Sequence, residues 1–341
     1  MGSGALAEVE LSEDLQGREV AFDSIPVIDI STLVDGSDEA AVAAKLRDAA
    51  ERVGFLYVTG HGIPQAMIDG MFAQARAFFD RPQDEKMAVH IGKWPVHRGY
   101  FPLFEENTDP AMTADLKEGF DIGRDLGPDD PEVLAGLPLH GANQWPQGDP
   151  SFRAAADGYF NALCRLGARL MRGFAIALDL EPDFFADKID RPLAQLRLLH
   201  YPPQSGHVAA KTIGCGAHTD YGCVTILAQD ANGGLQVRNT EGEWISAPPV
   251  PGAFVVNLGD QMARWTNGRF QATPHRVINV SGKERYSMPF FFDPNWEAEI
   301  ACLPSCEIPG EAPKFAPVLA GPYLQSRFDA TFTYRQDKAA L

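Results

Sequence analysis

The sequence predicts an α+β protein that is mainly β, with helices in its N-terminal half and short strands after residue 192. Two observations predict this class. Apolar residues recur at helical spacing in the first half, whereas seven short runs rich in β-branched and aromatic residues fill the second half. Gly, Pro, Asn or Asp bounds each of these runs, which favours a sandwich or barrel over a parallel sheet with intervening helices.

Three segments of the N-terminal half show helical periodicity. The first covers 38–53, and the second covers 64–79 and begins with a proline, a residue common at helix starts. The third covers 150–180 and places a row of apolar residues on one face. Between the last two helices the sequence predicts no further helix, only a strand at 117–122.

Two strands at 25–30 and 54–59 accompany these helices. We expect both to join the sheet of the strand-rich half, because neither half closes a sheet alone and open edges invite aggregation. The strands of that half are predicted at 196–201, 223–228, 234–238, 244–246, 253–258, 276–280 and 286–292. The chain is therefore expected to fold as one unit over 1–341, with a helix-rich part (5–190), a strand-rich part (191–300) and a C-terminal segment (301–341).

The charge and the cysteine content narrow the function classes. The 341 residues include 29 Lys and Arg against 46 Asp and Glu, a net charge of −17. Such a chain repels phosphates, so nucleic acid and anionic membrane surfaces are poor partners. There is no apolar run of membrane-spanning length and no secretory signal pattern. The five cysteines fit a reducing compartment, so a cytoplasmic location is expected.

His218 and Asp220 form the first candidate metal motif, within Gly216-Ala-His-Thr-Asp-Tyr-Gly222. On a strand, residues i and i+2 share a face, so the imidazole and the carboxylate would converge. Two His and one carboxylate hold non-haem Fe(II) and leave coordination positions open. Among the eight histidines, His275 is the best-placed third ligand because it opens a strand, with His200 and His207 as alternatives. A His-x-Asp alone is also typical of a surface turn.

Arg285 and Ser287 form a second motif on one predicted strand face. A guanidinium offers a planar fork to a carboxylate, and the hydroxyl adds another hydrogen bond. The strand continues into Met288-Pro-Phe-Phe-Phe-Asp-Pro294, which is too apolar for a solvated edge. A buried arginine needs an anion, and no acidic residue alternates with Arg285 before Asp293. This pair therefore indicates a receptor for a dicarboxylate.

These motifs, in this order, resemble the isopenicillin N synthase-like family of Fe(II)/2-oxoglutarate-dependent oxygenases, and the similarity covers nearly the whole chain. Other segments that carry the resemblance are Ile25-Pro-Val-Ile-Asp-Ile-Ser31, Gly54-Phe-Leu-Tyr-Val-Thr-Gly-His-Gly-Ile63, Leu198-His-Tyr-Pro-Pro203, Gly233-Gly-Leu-Gln-Val237 and Asn257-Leu-Gly-Asp260. The resemblance implies a double-stranded β-helix, or jelly roll, as the core, backed by the N-terminal helices. It also implies that the C-terminal segment lies over the site.

The resemblance implies the roles of six site residues. His218, Asp220 and His275 would bind iron and carry the catalysis. Arg285 and Ser287 would bind the C5 carboxylate of 2-oxoglutarate, and Tyr201 would also reach this co-substrate. Position 199 departs from the pattern, since plant relatives often have Asn where this chain has Leu.

The implied activity is that of an Fe(II)- and 2-oxoglutarate-dependent dioxygenase that consumes O2. It would hydroxylate, desaturate or cyclise a small organic molecule and release succinate and CO2. Two alternatives within the enzymes are an oxidative cyclase that needs no 2-oxoglutarate and an ethylene-forming enzyme. A third is a ligand-binding jelly roll without catalysis, which an intact iron motif disfavours.

Four aromatic residues are candidates for the substrate pocket. Tyr100, Phe101 and Phe120 lie on segments that line the mouth of the site in similar proteins. Phe291 shares strand parity with Arg285, so it should face the same interior. Ordinary hydrophobic packing is the alternative for each of them.

Overall fold

The computed structural model describes residues 9–11, 25–109, 114–204, 206–208, 213–279 and 281–339. Its strands are β1 (Val9–Leu11), β2 (Val27–Asp29), β3 (Phe55–Thr59), β4 (Gly99–Phe101), β5 (Glu118–Gly123), β6 (Gln195–Tyr201), β7 (Gly206–Val208), β8 (Cys215–His218), β9 (Val224–Gln229), β10 (Leu235–Arg238), β11 (Trp244–Ser246), β12 (Phe254–Leu258), β13 (His275–Val277), β14 (Arg285–Phe292), β15 (Glu299–Ile300) and β16 (Val318–Leu319). Its helices are α1 (Ser31–Asp35), α2 (Glu39–Arg52), α3 (Gln65–Phe79), α4 (Gln83–Ala88), α5 (Pro131–Leu134), α6 (Pro150–Ala177), α7 (Asp260–Trp265), α8 (Ala320–Thr331) and α9 (Thr333–Ala339).

Two sheets form the jelly-roll core. The larger has eight strands in the order β2-β3-β12-β9-β14-β6-β5-β4, and the smaller has four in the order β11-β10-β13-β8. The strand β3 pairs antiparallel with β12, and β2 pairs parallel with β3. The prediction that the two N-terminal strands join the sheet of the strand-rich half is therefore confirmed.

The long helix α6 covers the outer face of the larger sheet. It begins where the Asp149 side chain accepts a hydrogen bond from the Phe152 backbone N–H at 2.9 Å, with a proline at its first position. Its apolar face is buried in the main hydrophobic core together with α2 and α3. The helix approaches the sheet closely at Gly167, where an added Cβ would lie 2.5 Å from the ring of Phe292.

The predicted helices and strands agree with the observed ones to within a few residues, but six of the helices in the described residues were not predicted. Two of them, α4 and α5, lie between 80 and 150, where no helix was expected. They are short, at six and four residues, so their periodicity is weak. The other four are α1, α7, α8 and α9. Among the described residues, no helix has both the length and the apolar character needed to cross a bilayer.

Candidate active site

His218 and His275 lie opposite each other on neighbouring strands. The antiparallel strands β8 and β13 place these two residues in register, and their ring centroids are 4.3 Å apart. Asp220 lies beyond the end of β8, so the expectation that strand alternation aligns it with His218 is wrong. A loop positions this carboxylate instead, and the Asp260 backbone N–H donates a 2.8 Å hydrogen bond to the Asp220 carbonyl.

The main chain orients both imidazoles toward Asp220. The Nδ1 atom of His218 donates to the Gly216 carbonyl at 2.8 Å, and that of His275 donates to the Thr273 carbonyl at 3.2 Å. Each Nε2 atom then lies 3.6 Å from Oδ1 of Asp220. Hydrogen bonding of the far ring nitrogen is how proteins fix the tautomer of a metal-ligating histidine.

The second carboxylate oxygen of Asp220 is held by two side chains. Oδ2 accepts hydrogen bonds from the Thr225 hydroxyl and from Nδ2 of Asn257, the latter at 2.6 Å. Burial would raise the pKa of Asp220, but the two histidines and these two donors lower it below its usual range. Sequence reasoning assigned no role to either donor, although an Asn inside the apolar strand β12 was an available signal.

The three side chains fit a divalent iron ion. Their ligand atoms lie within 4.8 Å of one another, and two nitrogens plus one oxygen form the set that leaves positions open for other ligands. Burial lowers the pKa of His275 to about 4, so its Nε2 lone pair is free at neutral pH. Burial would also lower the pKa of His218, but Cys215 and Asp220 outweigh it and raise this pKa to about 10. A metal ion must therefore displace a proton from His218.

A cavity leads from these side chains to what we call the Arg285 end, formed by Arg285, Ser287 and Tyr201. Arg285 is 1% exposed and donates from Nε to the Gly233 carbonyl and from Nη1 to the Ser287 hydroxyl at 3.2 Å. Its guanidinium lies 4.6 Å from the centre of the Tyr201 ring. Among the described residues, no carboxylate pairs with this buried cation, so the Arg285 end can accept an anionic ligand.

The cavity continues in the other direction to the Gln195 end, formed by Gln195, Arg197 and Phe291. Leu324 and Phe328 of α8 also line the cavity, so the C-terminal segment contributes to its wall.

Asp293 lines the cavity beside Gly222. Burial, and to a smaller extent the charge of Asp220, raises the pKa of Asp293 to about 7.

The structure places the four candidate substrate residues differently. Phe291 lines the cavity, whereas Phe101 points inward but packs behind the lining, against Phe332. Tyr100 and Phe120 lie opposite each other on β4 and β5 and pack outward against Phe78. The assignment of Tyr100, Phe101 and Phe120 to the substrate pocket is therefore wrong, and of the four candidates Phe291 alone lines the cavity.

Two family models match the chain. Residues 25–148 match the model described as "non-haem dioxygenase in morphine synthesis N-terminal". Residues 192–294 match that of the 2OG-Fe(II) oxygenase superfamily. The second match spans the two histidines, Asp220, Arg285 and Ser287.

Relatives match over most of the chain. A 2-oxoglutarate-Fe(II) type oxidoreductase, hxnY, of Emericella nidulans is 39% identical and covers 88% of this chain and 90% of its own. The homoarginine-6-hydroxylase 2-ODD-C23 of Glycine max is 39% identical, with coverages of 83% and 89%. The crystal structure of a full-length Neurospora crassa protein in complex with alpha-KG and thymine superposes with a TM-score of 0.79 at 29% identity, covering 91% of this chain and 98% of that one.

Proposed function

The chain belongs to the 2OG-Fe(II) oxygenase superfamily, and we propose that it hydroxylates a C–H bond of a small organic molecule. It is a 2-oxoglutarate-dependent dioxygenase that uses Fe(II) and O2. The hydroxylation outcome is supported by the name of the Glycine max relative, which is a hydroxylase. Desaturation and ring closure differ only in how the substrate is positioned after the C–H bond is broken.

The observation that carries the proposal is that the three candidate metal ligands and the Arg285 end line the same cavity. His218, Asp220 and His275 would hold Fe(II), which supplies the oxidising chemistry when 2-oxoglutarate and O2 join it and 2-oxoglutarate loses CO2 to become succinate. The chain's own residues would bind and orient 2-oxoglutarate and the substrate. Arg285 and Ser287 would hold the distal carboxylate of 2-oxoglutarate.

Apolar side chains around the Arg285 end exclude water from the reacting atoms. Leu199, Leu235 and Val277 are buried and line the cavity near Arg285. Phe291 would contact the substrate farther along the same cavity. Low water access strengthens the electrostatic contacts of bound ligands and prevents side reactions.

We propose a location in the cytoplasm and no nucleic-acid or membrane partner. All five cysteines are free, which suits a reducing compartment. The net charge of −17 disfavours binding to phosphate backbones and anionic lipids. Localisation of a tagged chain by microscopy and fractionation tests the proposal, and recovery with membranes or nucleic acid would contradict it.

Anaerobic titration with Fe(II) and 2-oxoglutarate tests the core of the proposal. We expect a weak visible metal-to-ligand charge-transfer band that saturates at one equivalent of each, and that disappears in Arg285→Ala. A metabolite panel scored by succinate release then identifies the substrate, and mass spectrometry should find one added oxygen atom. A product that has lost two hydrogens and gained no oxygen would contradict hydroxylation. Absence of the band would contradict 2-oxoglutarate binding at Arg285.

A further inference from the structure

Asp293 is a buried carboxyl group immediately after β14, and one of its two oxygens has no partner. The residue is 4% exposed and lines the cavity. Oδ1 accepts a 2.7 Å hydrogen bond from the Cys223 backbone N–H, whereas Oδ2 accepts none from the described residues. No basic side chain of the described part of the chain forms an ion pair with this carboxyl group, and burial raises its pKa to about 7.

The loop that carries Asp220 also holds Asp293. Gly222 comes two residues after Asp220, and a Cβ added at Gly222 would overlap Oδ1 of Asp293, so the backbone and the carboxyl group are in direct contact. Phe291 lies two residues before Asp293 and also lines the cavity. The carboxyl group therefore lies in the part of the cavity next to the candidate metal ligands, where the substrate must bind.

Two basic side chains of the cavity lining are held by other carboxylates. Lys117 Nζ lies 2.6 Å from Asp115 and 3.0 Å from Glu106. Arg197 donates to Asp121 at 2.7 Å and to Glu106 at 3.1 Å. Because each of these cations is already shared between two carboxylates, neither neutralises Asp293.

The remaining arginine of the lining, Arg285, lies at the other end of β14. This strand of eight residues begins at Arg285 and ends just before Asp293, which separates the two backbones by about 25 Å. The co-substrate bound at Arg285 therefore leaves Asp293 to another ligand. With Fe(II) and 2-oxoglutarate in place, the metal and Arg285 balance the charges of Asp220 and the dianion, and Asp293 still has no counterion. Burying a charge without a counterion is costly, so a ligand that supplies a cation gains affinity.

We propose that the substrate carries a basic nitrogen, such as an ammonium or amidinium group, that binds to Asp293 as a cation. Its N–H donates to Oδ2, and the Phe291 ring packs against the apolar part of the substrate. The inference rests on the proposed function, because the substrate must share the cavity with 2-oxoglutarate. It makes Asp293 a specificity-determining residue for that substrate.

The test compares matched ring fragments under argon on the full chain loaded with Mn(II) and 2-oxoglutarate, where no turnover occurs. Benzylamine and benzamidine supply the cation, benzyl alcohol is the neutral match and benzoate is the anionic one. Line broadening of the fragment resonances by Mn(II), against a Zn(II)-loaded reference, reports binding close to the metal. Benzamidine is fully protonated at neutral pH and has no lone pair for the metal, so its broadening reports recognition of the cation.

We expect both cations to bind about tenfold or more tightly than benzyl alcohol and benzoate, the value of a charged hydrogen bond. Asp293→Asn assigns the contact, because the amide has the same size and can still accept from the Cys223 N–H but carries no charge. This variant should lose that advantage for both cations and retain 2-oxoglutarate binding. Asp129→Asn is the matched control, since it removes one negative charge at an exposed position outside the cavity. Its affinity for the cations should equal that of the original chain.

Three results would overturn the inference. They are benzyl alcohol or benzoate that binds as tightly as the cations, cations that show no broadening at millimolar concentration, and an Asp293→Asn variant that loses no more cation affinity than Asp129→Asn. The fragment ranking on the original chain decides the question even if Asp293→Asn fails to fold. Absence of 2-oxoglutarate binding to the original chain would instead count against the proposed function. That binding is measured separately, so the two failures are distinguishable.

Discussion

His275 lies directly opposite His218 across the β8–β13 pair, with a carbonyl from its own strand region fixing each imidazole. One antiparallel ladder therefore sets the separation of two candidate metal ligands that are distant in sequence. Asp220 joins them from a loop whose carbonyl is tied to the start of α7. The metal centre is prepared by the fold before any ion binds.

Replacing any of the three ligands should abolish both iron binding and turnover. We expect His218→Ala, Asp220→Ala and His275→Ala to lose stoichiometric iron, and Asp220→Glu to fail because the added methylene moves the carboxylate by about 1 Å. Iron content by mass spectrometry and succinate release are the measurements. His200→Ala is the control, because His200 hydrogen-bonds Glu118 outside the cavity. If iron were retained in His275→Ala and lost in His200→Ala, the third ligand would be His200 instead of His275.

Asn257→Ala should weaken metal binding without removing a ligand. The Asn257 amide holds the second oxygen of Asp220, and losing such an orienting contact typically costs roughly 10–100-fold in metal affinity. Competition with a fluorescent chelator gives the Fe(II) or Mn(II) Kd. Asn239→Ala, in the turn between β10 and β11, should leave the metal Kd unchanged. Equal metal affinity in both variants would show that Asp220 needs no support from Asn257.

Arg285→Lys should raise the KM for 2-oxoglutarate strongly. The lysine keeps the charge but loses the planar fork, and a charged hydrogen bond is worth about 1.5–3 kcal/mol, roughly ten- to a hundredfold in KM. Ser287→Ala should cost less, about 1 kcal/mol, because a neutral hydroxyl is lost. Steady-state succinate assays give both values, and iron affinity should be unchanged in each variant. An effect confined to the KM of the other substrate would assign Arg285 to that substrate instead.

Glu106 should stabilise the fold at neutral pH and lose this effect in acid. Burial opposes its ionisation, but Arg197 and Lys117 outweigh burial and lower its pKa to about 2. Its contribution is present above the unfolded pKa of about 4.5 and is lost as pH falls toward 2; a shift of this size corresponds to at most about 3 kcal/mol.

Urea unfolding of Glu106→Gln at several pH values tests this pH dependence of the free energy of unfolding. The variant should be less stable than the original chain at pH 7, and the difference should shrink as the pH falls from 4.5 toward 2. Glu311→Gln, at an exposed position, serves as the control and should have the same free energy of unfolding as the original chain at every pH. A difference that stays constant with pH would exclude the ionised carboxylate as its cause.

A fragment of residues 190–341 should not fold alone. It would lack β2, β3, β4 and β5, which are half of the eight-stranded sheet, and would expose edges that the intact chain covers. We expect an insoluble product or one without a cooperative thermal transition by circular dichroism. Recovery of a soluble, cooperatively folding fragment of this length after limited proteolysis would contradict the single folding unit.

Local sequence patterns were sufficient for most strands and for choosing three side chains that the structure brings together. Strands such as β12 and β14 end at Gly, Asn, Asp or Pro, so turn chemistry marks their limits. His275 could be selected because it opens a strand, and strand pairing then brought it to His218. The turn residues and the place of His275 at the start of a strand depend on neighbouring residues only, whereas its pairing with His218 does not.

Local patterns did not predict which face of β4 and β5 points toward the cavity. Every residue of both strands is buried, so no polar alternation separates the cavity side from the helix side. Tyr100 and Phe120 were therefore assigned to the wrong face. The ion pair between Asp121 and Arg197 was missed for a related reason. The two residues meet only through the long-range pairing of β5 with β6, which no local pattern reveals.

The ion pairs of Arg197 and Lys117 also bear on how the enzyme responds to abundant co-substrate. Among the described residues that line the cavity, Arg285 is the cation without a carboxylate partner, because Arg197 and Lys117 are each paired with two carboxylates. Excess 2-oxoglutarate therefore has no favourable second binding site in the cavity from which to displace the substrate. The initial rate should rise to a plateau and stay there, so the catalyst tolerates wide swings in the concentration of this central metabolite without inhibiting itself.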